Sequence, residues 1–286
     1  MKEVVVLSGK GGTGKTSIAG SFAALAKSKV LVDCDVDAAD LHLLLQPAIR
    51  EKHKFWSGHV AFIDKEKCTQ CGLCQEQCRF AAIKDSNVDD TSCEGCGFCF
   101  HICPAEAIAM KENMAGHWFI SDTRYGPLVH ARLGIAQENS GKLVALVRQE
   151  ARKMAEKQGA DYIISDGPPG IGCPVISSLS GANLALLVTE PTLSGIHDLE
   201  RVLGVCHHFG VPALVCINKY DINKDNTRQI EKFCLGQGTE VAAKIPFDNT
   251  VTKAMVAGLP VVEYSRNGVS HQIEALWELV SKSLTN

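Results

Sequence analysis

No apolar run in the 286 residues approaches the ~18 needed to span a bilayer. The opening MKEVVVLSGK carries a single apolar stretch of four residues, too short for the core of a secretory signal. These two absences predict a cytoplasmic chain without stable membrane insertion. An excess of positive charge is also missing. The formal net charge is −3, which argues against a nucleic-acid grip driven by bulk charge. The final segment VSHQIEALWELVSKSLTN lacks a basic face: its apolar residues Ile273, Leu276, Trp277, Val280 and Leu284 are accompanied by Glu274, Glu278 and Lys282. It reads as a helix packed on its own protein, not as a tail that binds lipid. Cysteine, by contrast, is plentiful. Eight of the 13 lie between Cys68 and Cys103, while Cys34, Cys173, Cys206, Cys216 and Cys234 are scattered. In a reducing compartment clustered thiols point to metal ligation ahead of disulfides.

VVVLSGKGGTGKTS, Val4 to Ser17, places a β-branched run before a glycine-rich turn, and SIAGSFAALAKS then reads as a helix. Gly9, Gly14, Lys15 and Thr16 satisfy G-x4-G-K-[ST]. Glycines at Gly9, Gly11, Gly12 and Gly14, with Thr13, let backbone N–H groups wrap phosphates. Lys15 is expected to reach the β and γ oxygens and the Thr16 hydroxyl to bind Mg²⁺. VLVDCDVDAADLHLLL is a second strand that ends in Asp33, Asp35, Asp37 and Asp40; the last two also suit a solvated turn and a helix cap. DYIISDGPPG delivers Asp166 at a strand's carboxyl end, where open α/β sheets place ligands, and Asp166 is expected to hold Mg²⁺. LVCINKYD ends in Asn218-Lys219-x-Asp221. Read alone, this pattern suggests guanine recognition. The later segments alternate between strand and helix, as a doubly wound, mostly parallel α/β sheet requires.

KGGTGKT, with Lys10 as an extra lysine in the loop, resembles the deviant Walker A motif of the MinD/ParA/Mrp and nitrogenase iron-protein class. The resemblance implies an ATPase that forms a face-to-face homodimer on ATP binding, with Lys10 reaching the partner's nucleotide. It assigns catalytic roles to Lys10, Lys15, Asp35 and Asp166. Asp35 falls in switch I, where it orients the attacking water and senses Mg²⁺, and Gly167–Gly170 matches switch II. It also implies adenine contacts from Asn218 and from the KIPFDNT loop around Pro246 and Phe247. That favours ATP over GTP.

The cysteines form two runs, Cys68-x2-Cys71-x2-Cys74-x3-Cys78 and Cys93-x2-Cys96-x2-Cys99-x3-Cys103-Pro104. Each reproduces the bacterial ferredoxin run for a [4Fe–4S] cluster, whereas zinc sites normally use two separated C-x2-C pairs. AAI after the first run and AEAI after the second complete an internal repeat. The resemblance to two-cluster ferredoxins implies crossed ligation. Cys68, Cys71, Cys74 and Cys103 would hold one cluster, and Cys78, Cys93, Cys96 and Cys99 the other. Arg79 stands where the full run has proline. Phe80, Phe98 and Phe100 are expected to shield the clusters and fill core. The boundaries read as an ATPase domain of residues 1–56 and 114–286, with an inserted ferredoxin domain of 57–113. The whole chain, including Gly134–Arg148, resembles the branch of the MinD superfamily that carries such an insert. Asn139 and Ser140 are read as capping a helix that starts near Lys142.

Cys173 follows Asp166 at the offset of a nitrogenase iron-protein cysteine that binds a cluster bridging two subunits, but no second cysteine accompanies it here. It is read either as a ligand near a dimer axis or as a small buried thiol. Cys34, Cys206, Cys216 and Cys234 read as core. The cofactors expected are two [4Fe–4S] clusters and Mg²⁺, with ATP as substrate. The partner expected is a redox or iron–sulfur acceptor protein. Three functions follow: ATP-gated electron transfer, iron–sulfur cluster assembly or carriage with a labile cluster near Cys173, and MinD-like positioning.

Overall fold

In the run Val4–Leu7, alternate side chains enter opposite faces of a sheet, yet all four are fully buried. Val4 and Val6 join a core with Ile18, Phe22, Leu31, Ile164, Leu186 and Trp277. Val5 and Leu7 join another with Val175, Leu179, Leu187, Leu199 and Val215. A strand covered on both faces reads as an unbroken apolar run, and this one does. The computed structural model describes residues 1–134, 139–266 and 268–285.

The strands are β1 (Lys2–Ser8), β2 (Lys29–Asp33), β3 (Ala48–Ile63), β4 (Ile83–Lys84), β5 (Asn87–Val88), β6 (Ile108–Thr123), β7 (Gly126–Leu133), β8 (Tyr162–Pro169), β9 (Leu184–Thr189), β10 (Ala213–Asn218) and β11 (Glu240–Ile245). Nine of them form a sheet of order β11-β10-β9-β1-β8-β2-β7-β6-β3. β1 pairs in parallel with β8 and β9, β10 with β9 and β11, and β2 with β7 and β8. The result is the doubly wound α/β class expected from the sequence. The final helix, Gly268–Thr285, buries Ile273, Leu276, Trp277, Val280 and Leu284, and the Trp277 ring lies tilted against the Phe22 ring, with centroids 4.9 Å apart. Its apolar face is therefore spent on its own core. Among the described residues no helix is long and apolar enough to cross a membrane.

Two units divide the chain: Met1–Lys52, Trp118–Ala131 and Ser140–Asn286 make one; His53–His117 and Arg132–Asn139 make the other. β3, β6 and β7 each contribute residues to both. Residues 135–138 of the Gly134–Arg148 stretch lie outside the described residues. The helix after them spans Ser140–Gln158, so Ser140 is its first residue rather than a cap.

The second unit repeats itself with a spacing of 25 residues, as between Cys68 and Cys93. Gly72 and Gly97, both with positive φ, precede the helices Leu73–Glu76 and Phe98–Ile102. Ala81 and Glu106 share a left-handed conformation, and each is followed by a buried alanine and isoleucine: Ala82-Ile83 and Ala107-Ile108. The apolar cluster is small, Ala61, Ile63, Ile83 and Ile108, and six of the eight clustered cysteines pack against it. Phe80, Phe98 and Phe100 are 38%, 51% and 45% exposed, so they do not fill core as expected: the cysteines take the inward positions and the rings are left at the surface.

Within the first unit a buried carboxylate clamps the start of β1. Glu3 accepts from Arg148 Nε at 2.7 Å, from Arg152 Nη2 at 2.8 Å and from Ser165 Oγ at 3.3 Å. Arg148 also donates to the carbonyl of Ser180 at 2.8 Å. Glu3 and Arg148 are almost wholly buried. Removing one member of such a pair strands the other charge away from water. Glu3→Ala is expected to lower unfolding free energy by about 3 kcal/mol or more, read from urea denaturation.

Candidate functional site

β1 ends at Ser8 between β8 and β9, and the helix Lys15–Leu25 begins seven residues later. The loop between them carries the glycines. Gly14 has φ +96°, and a Cβ there would lie 2.5 Å from the Asn218 amide nitrogen, so conformation and space both demand glycine. No side chain caps the helix, which leaves its first N–H groups free to receive an anion, and Lys15 is drawn into the same buried edge. Thr13 Oγ1 is buried without a hydrogen-bond partner among the described residues.

The acids stand beside this loop because of strand register. Asp166 on β8 is level with Asp33 on β2 and with Val6 on β1. Burial is the largest cause raising the Asp166 carboxyl, to about 7; the Thr16 hydroxyl and Lys15 oppose it, and Asp35 and Asp40 add to it. Its Oδ1 is buried and has no hydrogen-bond partner among the described residues. Burial also pushes Asp33 well up, reinforced by Asp166, although Asp33 accepts the backbone N–H of Asp35 at 3.1 Å and of Leu41 at 3.2 Å. Asp35 is half-buried and raised by burial, against the pull of Lys15. Asp40 precedes the helix Leu41–Leu45 without capping it through its side chain. Asp166 and the Thr16 hydroxyl touch at this edge, where Asp35 repels Asp166 and Asp166 repels Asp33; a hard divalent cation, which prefers oxygen ligands, would relieve that repulsion.

The N-K-x-D segment leaves β10 on the other side of β1. Asn218 Nδ2 donates to the Thr13 carbonyl at 2.8 Å, and its Oδ1 accepts from Lys219 N. Asp221 Oδ1 accepts from Phe247 N at 2.7 Å, which ties the Ile245–Asp248 loop, with the half-buried Pro246, to the same segment. Lys10 is held within its own chain by Glu190, Thr192 and Ser194. Glu190 was missed in the sequence because LLVTEP reads as a strand end. Its signal was an acid at the carboxyl end of a strand neighbouring β1.

All eight clustered cysteines are free thiols that line two hollows in the second unit. A hollow of about 510 Å³ is lined by Cys74, Cys78, Cys93, Cys96 and Cys99. A narrow one of about 20 Å³ is lined by Cys68, Cys71, Cys74 and Cys103. Backbone N–H groups approach the sulfurs: Gln70 that of Cys68 at 3.4 Å, Ala107 that of Cys103 at 3.3 Å and Ala61 that of Cys93 at 3.5 Å. Gly95, at φ +64°, permits this closeness, since a Cβ there would meet the His59 carbonyl oxygen at 2.1 Å. Burial raises the thiols of Cys74 and Cys99, and neighbouring cysteines add to both shifts. Among the described residues no group of three or more His, Cys, Asp or Glu gathers as ligands of one metal ion.

The isolated cysteines separate cleanly. Cys34, Cys206, Cys216 and Cys234 are buried, as read from sequence, with thiols raised by burial. Cys173 is exposed at the start of the helix Cys173–Leu179, against Gly141, which corrects the buried-thiol reading: the G-I-G-C-P turn lifts it out of the apolar face that begins at Val175.

Residues 4–261 match the CobQ/CobB/MinD/ParA nucleotide binding domain, and the chain belongs to that family of P-loop ATPases. It is 32% identical over 279 residues to an uncharacterised Methanocaldococcus jannaschii protein, MJ0578, covering 96% of this chain and 95% of that one. It is 24% identical to the septum site-determining protein MinD of Bacillus subtilis, over 93% of this chain and 84% of the relative. The Pyrococcus horikoshii MinD solved with Mg-ADP superposes with a TM-score of 0.59 at 19% identity, covering 98% and 96% of the two chains. At that identity the likeness is one of fold.

Because the folded chain holds a proton on Asp166 up to about pH 7 that the unfolded chain releases near pH ~4, folding binds protons across this window. Stability of the magnesium- and nucleotide-free protein is therefore expected to fall as pH rises through it. Urea midpoints followed against pH check this, and Asp166→Asn is expected to flatten the slope.

Proposed function

We propose that this chain is an ATPase whose nucleotide-driven dimer rearrangement gates electron transfer from two [4Fe–4S] clusters to a partner protein. The observation that carries the reading is the sorting of eight thiols around two hollows. Cys68, Cys71, Cys74 and Cys103 share one; Cys78, Cys93, Cys96 and Cys99 share the other, with Cys74 between them. This sorting supports crossed ligation, in which Cys74 would belong to the first set although it also lines the second hollow. A four-iron cube holds its thiolates at separate corners, so its ligands surround a volume and do not meet at a point. Bound clusters would supply one-electron chemistry, with the N–H groups on Cys68, Cys93 and Cys103 favouring the charged sulfurs.

In the ATPase half, the loop N–H groups, Lys15 and Thr16 bind the triphosphate. Asp166 and Thr16 hold Mg²⁺, for which the unpartnered Asp166 Oδ1 is suited. Asp35 orients the water that attacks the γ-phosphorus, giving ADP and inorganic phosphate. Asn218 and the Pro246 loop meet the adenine. Lys10 completes the site of a second copy.

Cluster carriage is a second reading, favoured by the exposure of Cys173. Septum positioning, the role printed in the names of the MinD relatives, becomes the better reading if the cysteine unit binds no iron.

Anaerobic purification with iron and sulfide analysis discriminates these. Two clusters give about eight of each per chain, and Cys96→Ser is expected to remove about half. Zinc in place of iron, or no metal, contradicts the redox reading. Loss of iron-cluster transfer in Cys173→Ala favours carriage. Separately, Lys15→Ala is expected to abolish ATP hydrolysis while leaving the iron content unchanged, measured on the same preparations.

A further inference from the structure

Glu190 immediately follows β9, the parallel neighbour of β1, so its carboxylate emerges beside the phosphate loop. It is 13% exposed and serves two lysines at once. Lys10 Nζ lies 3.4 Å from its Oε2, and Lys219 Nζ donates to its Oε1. Lys10 also donates to Thr192 Oγ1 at 3.2 Å and to Ser194 Oγ at 3.4 Å, so one short segment supplies two hydrogen bonds and an ion pair. Lys219 sits in a left-handed backbone at φ +56° and reaches the Gly12 carbonyl at 3.4 Å. Its neighbour Asn218 is bonded to Thr13. Carboxylate, phosphate loop and base segment form one connected network.

A lysine that must serve a second copy of the chain is thus already satisfied at home. A largely buried carboxylate left without a cation is costly, and a second lysine on the same carboxylate removes that cost when the first departs. From this geometry we infer that Glu190 is a positioning residue that holds Lys10 within its own subunit until nucleotide draws it across, with Lys219 as the cation that stays behind. This inference rests on the nucleotide-driven dimer proposed above.

The hold is tested without nucleotide. Acylation of Lys10 in the full-length protein by an amine-reactive acetyl ester, followed by mass spectrometry, is expected to run about fivefold faster in Glu190→Gln than in wild type. It is expected to run slower than wild type in Lys219→Gln, where Lys10 has the carboxylate to itself. A merely structural role for Glu190 would not give opposite signs. Equal Lys10 labelling in all three proteins overturns the inference. Dimerisation is then followed by sedimentation against a non-hydrolysable ATP analogue, with the Glu190→Gln midpoint expected about fivefold below wild type. A midpoint at or above wild type overturns Glu190's control of the dimer. A wild type that stays monomeric at saturating analogue, while labelling still responds to Glu190, overturns the dimer reading and leaves the hold standing.

Discussion

The nucleotide site depends on β1 lying in parallel register between β8 and β9. That single alignment brings the phosphate loop, Asp166 and Glu190 to the same edge, from segments far apart in sequence. β2 extends it by pairing Asp33 with Asp166. The alignment is secured at both ends. Apolar side chains cover Val4–Leu7 on two faces, and Glu3 is clamped by Arg148 and Arg152 from the helix Ser140–Gln158. A fault in this strand would therefore disturb fold and chemistry together.

The edge so built is electrostatically unfinished. Burial raises Asp33, Asp35 and Asp166, and Lys15 opposes the rise at Asp35 and Asp166. Such a set prefers protons when alone and gives them up to a divalent cation with a triphosphate. The cysteine unit shows the same incompleteness in another form. Its main apolar cluster has four buried side chains, and six of the clustered cysteines pack against it.

Much of this was legible because spacing carries it. G-x4-G-K-[ST] needs fixed offsets to wrap a phosphate, and Gly14 meets both the conformational and the steric demand. The doubling of the cysteine runs reappears as matched left-handed turns at Ala81 and Glu106. What spacing does not encode was missed. Glu190 acts through a neighbour in space that is 180 residues away, Lys10. The Glu3 clamp likewise needs the sheet before its partners exist. Phe80, Phe98 and Phe100 look like core by residue type, but six of the cysteines pack against the small apolar cluster and the three rings stay exposed. Cys173 looked like a buried thiol because Pro174 and Val175 follow it, yet the turn before the helix exposes it.

Under the proposed function, ATP chemistry at Lys15 and Asp166 controls electrons held at the cysteines. Stopped-flow absorbance of the anaerobically reduced protein, mixed with an oxidised acceptor in the presence of Mg-ATP, Mg-ADP or a non-hydrolysable analogue, tests it most directly. Nucleotide gating requires the iron–sulfur chromophore to be reoxidised faster with Mg-ATP than with either other nucleotide, and this difference to vanish in Lys15→Ala. Equal rates under all three conditions, or a protein with no reducible chromophore, would contradict it.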